Sequence, residues 1–178
     1  MNPLEQPVLA AFPYRLRPFS TDDVAVIQEV SEDPLIPLIT TVPASGSKTA
    51  ALAFIQRQHQ RLADRSGYSF AIADATSDQA VGQIGLWLKN LSQGRASIGY
   101  WVAPSQRGKG VASTALKALS TWGLAQSGIH RLELYVEPWN EGSWRAAEHA
   151  GFIREGTLRS WLEIDGQRRD MYMYSCLP

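Results

Sequence analysis

The hydrophobic positions in the first third of the chain predict one short strand followed by two helices. Tyr14–Arg17 alternates apolar and polar residues until Pro18 interrupts the pattern, which is typical of a short strand. Ser20 is a good N-cap for a helix whose apolar residues recur at helical spacing until Pro34 stops it. A second helix is predicted over residues 49–65, after a polar loop.

The remaining two thirds alternate with a period of two, except at one long and one short helix. These helices are predicted over residues 111–126 and 140–150. Asp165-Gly166 is a hairpin signal between the last two strands. The strands in this part are predicted over residues 68–73, 80–89, 96–102, 130–137, 152–163 and 167–175. The resulting order, β-α-α-β-β-β-α-β-α-β-β, predicts a mixed α/β sheet with antiparallel ends.

The chain has 178 residues, with 17 Lys and Arg against 17 Asp and Glu. This length fits a single domain over residues 1–178, in which residues 1–12 are expected to be a flexible N-terminal extension. Zero net charge argues against a basic nucleic-acid binder, although it leaves room for a local basic site. No apolar run approaches the ~20 residues of a membrane span, so we expect a cytoplasmic protein without a membrane partner. Cys176 is the only cysteine and the histidines lie far apart, so no metal site is expected.

Residues 98–112 combine a strand, a loop rich in glycine and basic residues, and the start of a helix. Glycines allow successive backbone N–H groups to converge on one point, where a helix N-terminus adds partial positive charge. Arg107 and Lys109 add two full charges, so the segment predicts a site for a phosphate group. The P-loop pattern fails because Gly108-Lys109 is followed by Gly110. A dinucleotide fingerprint is disfavoured because only one strand–helix unit follows, and a plain glycine loop before an ordinary helix is the structural alternative.

A third pattern, Arg107-x-x-Gly110-x-Ala112, resembles the pyrophosphate loop of the GNAT family of acetyl-CoA-dependent N-acetyltransferases. A later set of residues is similar to the last block of that family, at Asn140, Ser143, Glu148, Gly151 and Phe152. Three segments look like the RimJ/RimL branch, which acetylates protein N-termini. They are the strand Ile-Gly-Tyr-Trp-Val at residues 98–102, the opening Arg15-Leu16-Arg17-Pro18 and the closing Asp165-Gly166-x-x-x-Asp170. The resemblance spans about residues 14–177.

The resemblance implies a GNAT fold of the α/β (α+β) class. Such a fold is a mixed, mostly antiparallel seven-stranded sheet, splayed between its fourth and fifth strands, with helices on both faces. In the family, a β-bulge in the strand before the loop opens this gap, in which the pantetheine arm of acetyl-CoA lies. On this chain the gap is expected between residues 96–102 and 131–137.

Acetyl-CoA is therefore the implied co-substrate. Backbone groups of Trp101 and Val102 are expected to bind its pantetheine amides, where a freed N–H would face the thioester oxygen. Asn140 is expected to bind the same arm, and Ser143 to lie near the thiol. The pyrophosphate is assigned to Arg107, Gly108, Lys109, Gly110, Val111 and Ala112. Helix capping is the plain alternative for Asn140 and Ser143, and the two roles are compatible.

The implied reaction is direct attack of a neutral primary amine on the acetyl thioester, for which a base and an acid are useful. The family's usual groups do not carry over: Ala147 stands at its tyrosine position, and Tyr135 and Ser97 stand at its glutamate positions. The candidate catalytic residues are Ser143, Tyr135 and Glu137, with Glu163 as a further candidate on the acceptor side. Each has a plain surface alternative, and deprotonation through solvent without an essential base is also open.

We therefore expect an acetyl-CoA-dependent N-acetyltransferase whose acceptor is a primary amine, such as the N-terminal amine of a protein or peptide. The alternatives are a small amine (an antibiotic, a polyamine or an amino acid), another donor such as succinyl-CoA, or a non-catalytic acyl-CoA sensor. Trp87, Trp101 and Trp161 either line the acceptor pocket or pack. No nucleic-acid partner is expected, and the resemblance leaves a homodimer open.

Overall fold

The computed structural model describes residues 5–178, whose strands form a single sheet. The strands are β1 (Leu9–Ala11), β2 (Tyr14–Arg17), β3 (Gly67–Asp74), β4 (Ala80–Trp87), β5 (Arg95–Val102), β6 (Arg131–Val136), β7 (Ile153–Ile164) and β8 (Gln167–Cys176). The α-helices are α1 (Val24–Ser31), α2 (Ile36–Ile39), α3 (Lys48–Ala63), α4 (Val111–Leu124) and α5 (Glu141–His149). In space the strands follow the order β1-β2-β3-β4-β5-β6-β8-β7, and neighbours are antiparallel except β5 and β6.

The sheet has eight strands in the described part of the chain, one more than the seven predicted. The additional strand is β1, which pairs antiparallel with β2 from Leu9↔Leu16 to Ala11↔Tyr14. Three residues are too few for an alternation to be recognised, so residues 1–12 resembled an extension. The structure places residues 9–11 of that segment in the sheet, and residues 1–4 lie outside the described residues.

Alternation along the central strands sends side chains into two separate cores. Phe70 and Ile72 of β3 pack with α4 and α5 on one face of the sheet. Ala71, between them, packs with α1 and α3 on the other face. Leu116 and Leu119 of α4 are fully buried, as its predicted apolar face requires. Burying each such side chain contributes roughly 2 kcal/mol. The predicted fold class, with helices on both faces, is confirmed.

The segment after α1 differs from the prediction, in which Pro34 and Pro37 only end a helix. Pro37 instead lies in the first turn of the short helix α2, where its missing N–H removes no helical hydrogen bond. Asp33 starts this helix because its Oδ1 accepts hydrogen bonds from the N–H groups two and three residues later, both at 2.9 Å. The helix brings residues 39–41 to the wall of the cleft described below.

The helices α3, α4 and α5 agree with the predicted ranges to within two residues. The Ser47 side chain caps α3 by accepting from the Ala50 N–H at 3.1 Å. Across residues 5–178, none of the helices combines the length and the apolar character that crossing a membrane requires.

Candidate active site

Strands β5 and β6 run parallel but are hydrogen-bonded at only one end. Their register extends from Arg95↔Arg131 to Ser97↔Glu133, and beyond Ser97 the strands separate. The predicted splay is therefore confirmed. The predicted β-bulge in β5 is wrong, because its pairing with β4 shows no register shift. The gap instead opens between two half-sheets, since β5 stays with β4 while β6 stays with β8.

A buried ion network holds the joined end of these two strands. The buried Glu133 carboxylate accepts hydrogen bonds from Arg95 at 3.1 Å and from Arg131 at 2.9 Å. Arg131 also makes a two-point contact with Glu155, at 2.8 and 2.6 Å. Burial raises the pKa of Glu133, but hydrogen bonds from the two arginines and a tyrosine outweigh it, so this pKa lies below its usual value. The network thus lies across the paired end of the two strands, next to the point where the gap begins.

The gap contains a cavity of about 560 Å³, which we call the cleft. Its walls are mostly apolar, and the three tryptophans at positions 87, 101 and 161 all contribute to them. The candidate catalytic residues Ser143, Tyr135 and Glu137 all line it. The complete set of polar residues in its walls is Thr40, Thr41, Arg61, Gln83, Tyr100, Tyr135, Glu137, Asn140 and Ser143.

Ser143, in the first turn of α5, is hydrogen-bonded to Tyr100 of β5. The Tyr100 hydroxyl donates to the Ser143 carbonyl oxygen at 2.7 Å and lies 2.8 Å from Ser143 Oγ. Because the carbonyl takes the tyrosine proton, the serine hydroxyl donates to the tyrosine oxygen in this arrangement. Burial raises the pKa of Tyr100 to about 12, so the tyrosine stays protonated. Sequence reasoning missed Tyr100; the available signal was its place beside Trp101, since alternation turns the two side chains to opposite faces.

Tyr135 presents its ring to the cleft, and its hydroxyl is already engaged. The hydroxyl donates to Glu133 at 2.9 Å, and the ring stacks on Trp161 with centroids 5.9 Å apart. Burial and the bond to Glu133 raise the pKa of Tyr135 to about 12. Its proton is directed at a carboxylate, so Tyr135 is better suited to shape the wall than to donate a proton to a reactant.

Glu137 follows the end of β6 and is only 7% exposed. Its carboxylate accepts no hydrogen bond from residues 5–178; its ion-pair partner there is Arg169, whose Nε lies 3.8 Å from Oε1. That Nε is itself buried without a hydrogen-bond partner in the described chain. A buried carboxylate with unused acceptor capacity is suited to hold a cation or to take a proton from a bound molecule.

Glu163, the further acceptor-side candidate, lies outside the cleft. It is exposed on β7, whereas its neighbours Leu162 and Ile164 line the cleft, because alternate side chains of a strand point to opposite faces. The structure therefore does not bring Glu163 into the cleft with the other candidates. Between residues 5 and 178, no group of three or more His, Cys, Asp or Glu side chains is arranged to hold a metal ion.

Residues 107–112, which we call the glycine loop, lead from the turn after β5 into α4. Gly108 and Gly110 have φ angles of 75° and 73°, in the left-handed region that favours glycine. Gly110 is the N-cap of α4 and offers no side chain to its first N–H groups, whereas Ser47 and Asn140 cap α3 and α5. A Cβ built on Gly108 would meet no atom of the described chain within 4 Å. The loop thus leaves both space and unsatisfied donors for an anion.

Two cations flank these glycines. Within residues 5–178, Lys109 donates only to the neutral Gln106 side chain, at 2.8 Å. The half-exposed Arg107 lies 2.8 Å from Asp33, and the Ser105 N–H just before it donates to Glu29 at 3.1 Å. The turn and the glycine loop are therefore attached to the end of α1 by two polar contacts.

The other expected donor-binding residues lie on β5 and at the start of α5. Asn140 Oδ1 accepts from the Ser143 N–H at 3.3 Å, so the capping interpretation is confirmed. Trp101 is 5% exposed, and its indole N–H donates to Gln83 at 2.5 Å. Val102 is the last residue of β5, just before the turn that leads to the glycine loop.

Comparison with known proteins agrees with this geometry. The sequence model of the family described as "Acetyltransferase (GNAT) domain" matches residues 14–153. The uncharacterized N-acetyltransferase p20 of Bacillus licheniformis is 28% identical over 162 residues, 91% of either chain. The ribosomal protein uS5-alanine N-acetyltransferase of Escherichia coli is 28% identical over 124 residues, 68% of this chain and 61% of that protein. The solved structure of Mycobacterium smegmatis RimJ in complex with CoA-disulfide has a TM-score of 0.79 and 25% identity, covering 97% of this chain and 86% of its own.

The matched region spans well over half of the chain and contains the diverging strands, the glycine loop and the start of α5. The open glycine loop, with its uncapped helix and its cations, fits the pyrophosphate of a coenzyme A donor. This chain belongs to the GNAT family, and it is an acetyl-CoA-dependent N-acetyltransferase.

Proposed function

We propose that this enzyme acetylates the N-terminal amine of a protein or peptide, which binds in the cleft. The observation that carries the proposal is the buried Glu137 carboxylate, whose hydrogen-bonding capacity is unused and which shares the cleft with the Tyr100–Ser143 pair. A protonated amine is the natural partner of such a carboxylate. The Escherichia coli relative acts, by its name, on an alanine of a ribosomal protein, which supports a protein acceptor.

Acetyl-CoA supplies the acetyl group as a thioester. We assign its pyrophosphate to the glycine loop, because an uncapped helix N-terminus, two left-handed glycines and two cations lie together there. The residues in this role are Arg107, Gly108, Lys109, Gly110, Val111 and Ala112. The backbone of Trp101 and Val102 binds the pantetheine arm. Asn140 adds its Nδ2 donor to that arm while its Oδ1 continues to cap α5.

Glu137 is the proposed base. It holds the incoming ammonium and accepts its proton, directly or through one water molecule, so that the neutral amine can attack. Arg169, 3.8 Å away, compensates part of the carboxylate charge. The proposal makes Glu137, rather than Glu163, the acidic residue of the acceptor site.

Ser143 is the proposed donor to the departing sulfur, and Tyr100 is its positioning residue. When the Ser143 hydroxyl turns towards the sulfur, the Tyr100 hydroxyl can redirect its proton from the serine carbonyl to Oγ, 2.8 Å away. The pair then keeps both hydroxyls hydrogen-bonded as negative charge leaves. Tyr135, proposed from sequence as catalytic, is reassigned to the wall of the cleft because its proton is held by Glu133.

A thiol-release assay with acetyl-CoA, N-terminal peptides and small amines tests the proposal. We expect thermal stabilisation by acetyl-CoA and release with peptides, with the acetyl group located on the N-terminus by mass spectrometry. Release confined to antibiotics, polyamines or free amino acids would contradict the peptide acceptor. Release confined to succinyl-CoA would contradict the donor, and stabilisation without release on any acceptor would identify a sensor.

Two further expectations stay predictions. We place the enzyme in the cytoplasm, where a ribosomal-protein acceptor of the kind named for its relative would be found. A homodimer also stays a prediction, and light scattering of the purified protein measures the oligomeric state directly.

A further inference from the structure

One wall of the cleft is a guanidinium stacked on an indole ring. Arg61, in the last turn of α3, lies with its Cζ 4.5 Å from the Trp87 ring at the end of β4. A Cβ on Gly85 would collide with this ring, and one on Gly99 would lie 3.1 Å from its Nε1. The two glycines therefore allow the indole to rest against the sheet. Both Arg61 and Trp87 line the cleft.

Arg61 has only neutral partners within residues 5–178. Its Nε donates to Gln58 Oε1 at 3.2 Å and its Nη2 to Thr41 Oγ1 at 3.4 Å, while Nη1 makes no hydrogen bond there. None of the ion pairs in the described chain includes Arg61. Burial and the neighbouring Arg57 both lower its pKa. A partly desolvated guanidinium without a counter-ion is a ready binding site for an anion.

We propose that Arg61 binds a carboxylate carried by the acceptor, so that the substrate is an amine that also bears a carboxylate. This inference rests on the proposed function and adds a second charge to its substrate. Glu137 follows β6 and Arg61 lies on α3, so the cleft presents one charged group of each sign. A guanidinium offers two parallel N–H donors that match a carboxylate, and stacking on the indole holds that fork in one plane.

Arg57, one turn earlier on α3, provides a matched comparison. It donates to the Thr41 carbonyl oxygen at 3.2 Å and lies over the Phe54 ring at 5.7 Å. It thus shares with Arg61 the charge, the helix, an aromatic neighbour and a contact with Thr41. It is exposed, however, and is not part of the cleft wall. Only Arg61 should therefore affect the acceptor.

The test uses two pairs of peptide acceptors that differ by one charge. Ala-Asp amide against Ala-Asn amide varies a side-chain carboxylate, and Ala-Gly against Ala-Gly amide varies a C-terminal carboxylate. We expect the wild-type enzyme to prefer the charged member of at least one pair by about 10- to 100-fold in kcat/KM, as for other hydrogen bonds to a charged group. The pair that shows the preference identifies the source of the carboxylate.

The variant Arg61→Gln should abolish this preference by raising KM for the charged member far more than for the neutral member, so that the two members of the pair react alike. Arg61→Lys should keep part of the preference, because it retains charge without the planar fork. Arg57→Gln should keep all of it, and unfolding midpoints show that each variant is folded.

Two results would overturn the inference while leaving acetyl transfer to amines established. One is equal use of both members of both pairs by the wild-type enzyme, which needs no variant. The other is a preference that survives in folded Arg61→Gln. Thiol release from no acceptor at all would instead overturn the proposed function, and the inference with it.

Discussion

The glycine loop and the cleft adjoin the same strand, β5, but the loop presents mainly backbone groups and the cleft mainly side chains. The loop offers backbone: two left-handed glycines and the uncapped start of α4. The cleft offers side chains from separate elements, such as Tyr100 on β5, Glu137 after β6 and Ser143 on α5. A backbone site is largely independent of the side chains around it, so it suits the constant partner, the donor. A site assembled from side chains can change one residue at a time, so it suits the acceptor.

The largest effect is expected at Gly110, in the glycine loop. We expect Gly110→Glu to weaken acetyl-CoA binding by about 1000-fold or more, because a carboxylate would enter the anion site and a side chain is strained at φ 73°. Calorimetric titration with acetyl-CoA measures the loss.

The matched control for this variant is Gly166→Glu in the β7–β8 turn, where φ is 70° and a Cβ would meet none of the described atoms within 4 Å. This variant introduces the same backbone strain and the same negative charge, but outside the glycine loop. Comparable donor affinities for the two variants would show that the glycine loop is not the phosphate site.

The joined end of β5 and β6 supports both regions, and Glu133 is its centre. We expect Glu133→Gln to lower the free energy of unfolding by about 3 kcal/mol, since two arginines would lose their buried counter-ion. The folded-state pKa of Glu133 lies below the ordinary 4.5, so its contribution is complete above that pH and is lost as pH falls below it.

Denaturant titrations at several pH values measure both effects for Glu133. Glu32→Gln, at an exposed residue, is the control and should change neither the stability nor its acid dependence. A Glu133→Gln protein that is as stable as the wild type at neutral pH would exclude this network as the support of the splay.

The next prediction concerns the cleft and asks which acidic residue faces the acceptor amine. We expect Glu137→Gln to lower kcat about 100-fold, as for loss of a general base, with acetyl-CoA affinity unchanged. Glu163 lies on the face of β7 that is turned away from the cleft, so Glu163→Gln should keep full activity. Steady-state kinetics with a reactive peptide decide between them, and the reverse order of effects would return Glu163 to the site.

The smallest expected effect concerns the Tyr100–Ser143 pair. We expect Ser143→Ala and Tyr100→Phe each to lower kcat about tenfold, equivalent to about 1.4 kcal/mol. The double variant should lose little more than either single one, because the two hydroxyls act as a unit. Effects that multiply in the double variant would show that Tyr100 does not act through Ser143.

Local regularities explain what could be predicted from the sequence about the fold. The ranges of α3, α4 and α5 follow from apolar spacing and caps that lie within each segment. The strand β1 was missed because three residues show no period. The helix α2 was missed because its start depends on an Asp33 hydrogen-bonding geometry that no periodic pattern reports.

The residues of the candidate site also divide into those that could be predicted from the sequence and those that could not. Ser143 was placed at the gap because it matches a serine of the family, and Tyr135 and Glu137 because alternation puts them on one face of the diverging strand. Their partners could not be predicted: Tyr100 is 43 residues from Ser143 in sequence, and Arg169 reaches Glu137 from another strand. Glu163 was proposed for its place on the penultimate strand, but that place alone does not give the face on which its side chain lies, because β7 shifts register twice along its pairing with β8.

By itself, the sequence determined the mixed α/β fold and the candidate donor site, because a strand, two loop glycines, two cations and a helix start lie within fifteen consecutive residues (98–112). Only the tertiary structure decided which hydroxyl contacts Ser143, which carboxylate lines the cleft and which cation of the cleft has only neutral partners within residues 5–178. The physical reason is that hydrogen bonds, burial and charge pairing act between side chains that are close in space. Here those side chains come from strands and helices far apart along the chain.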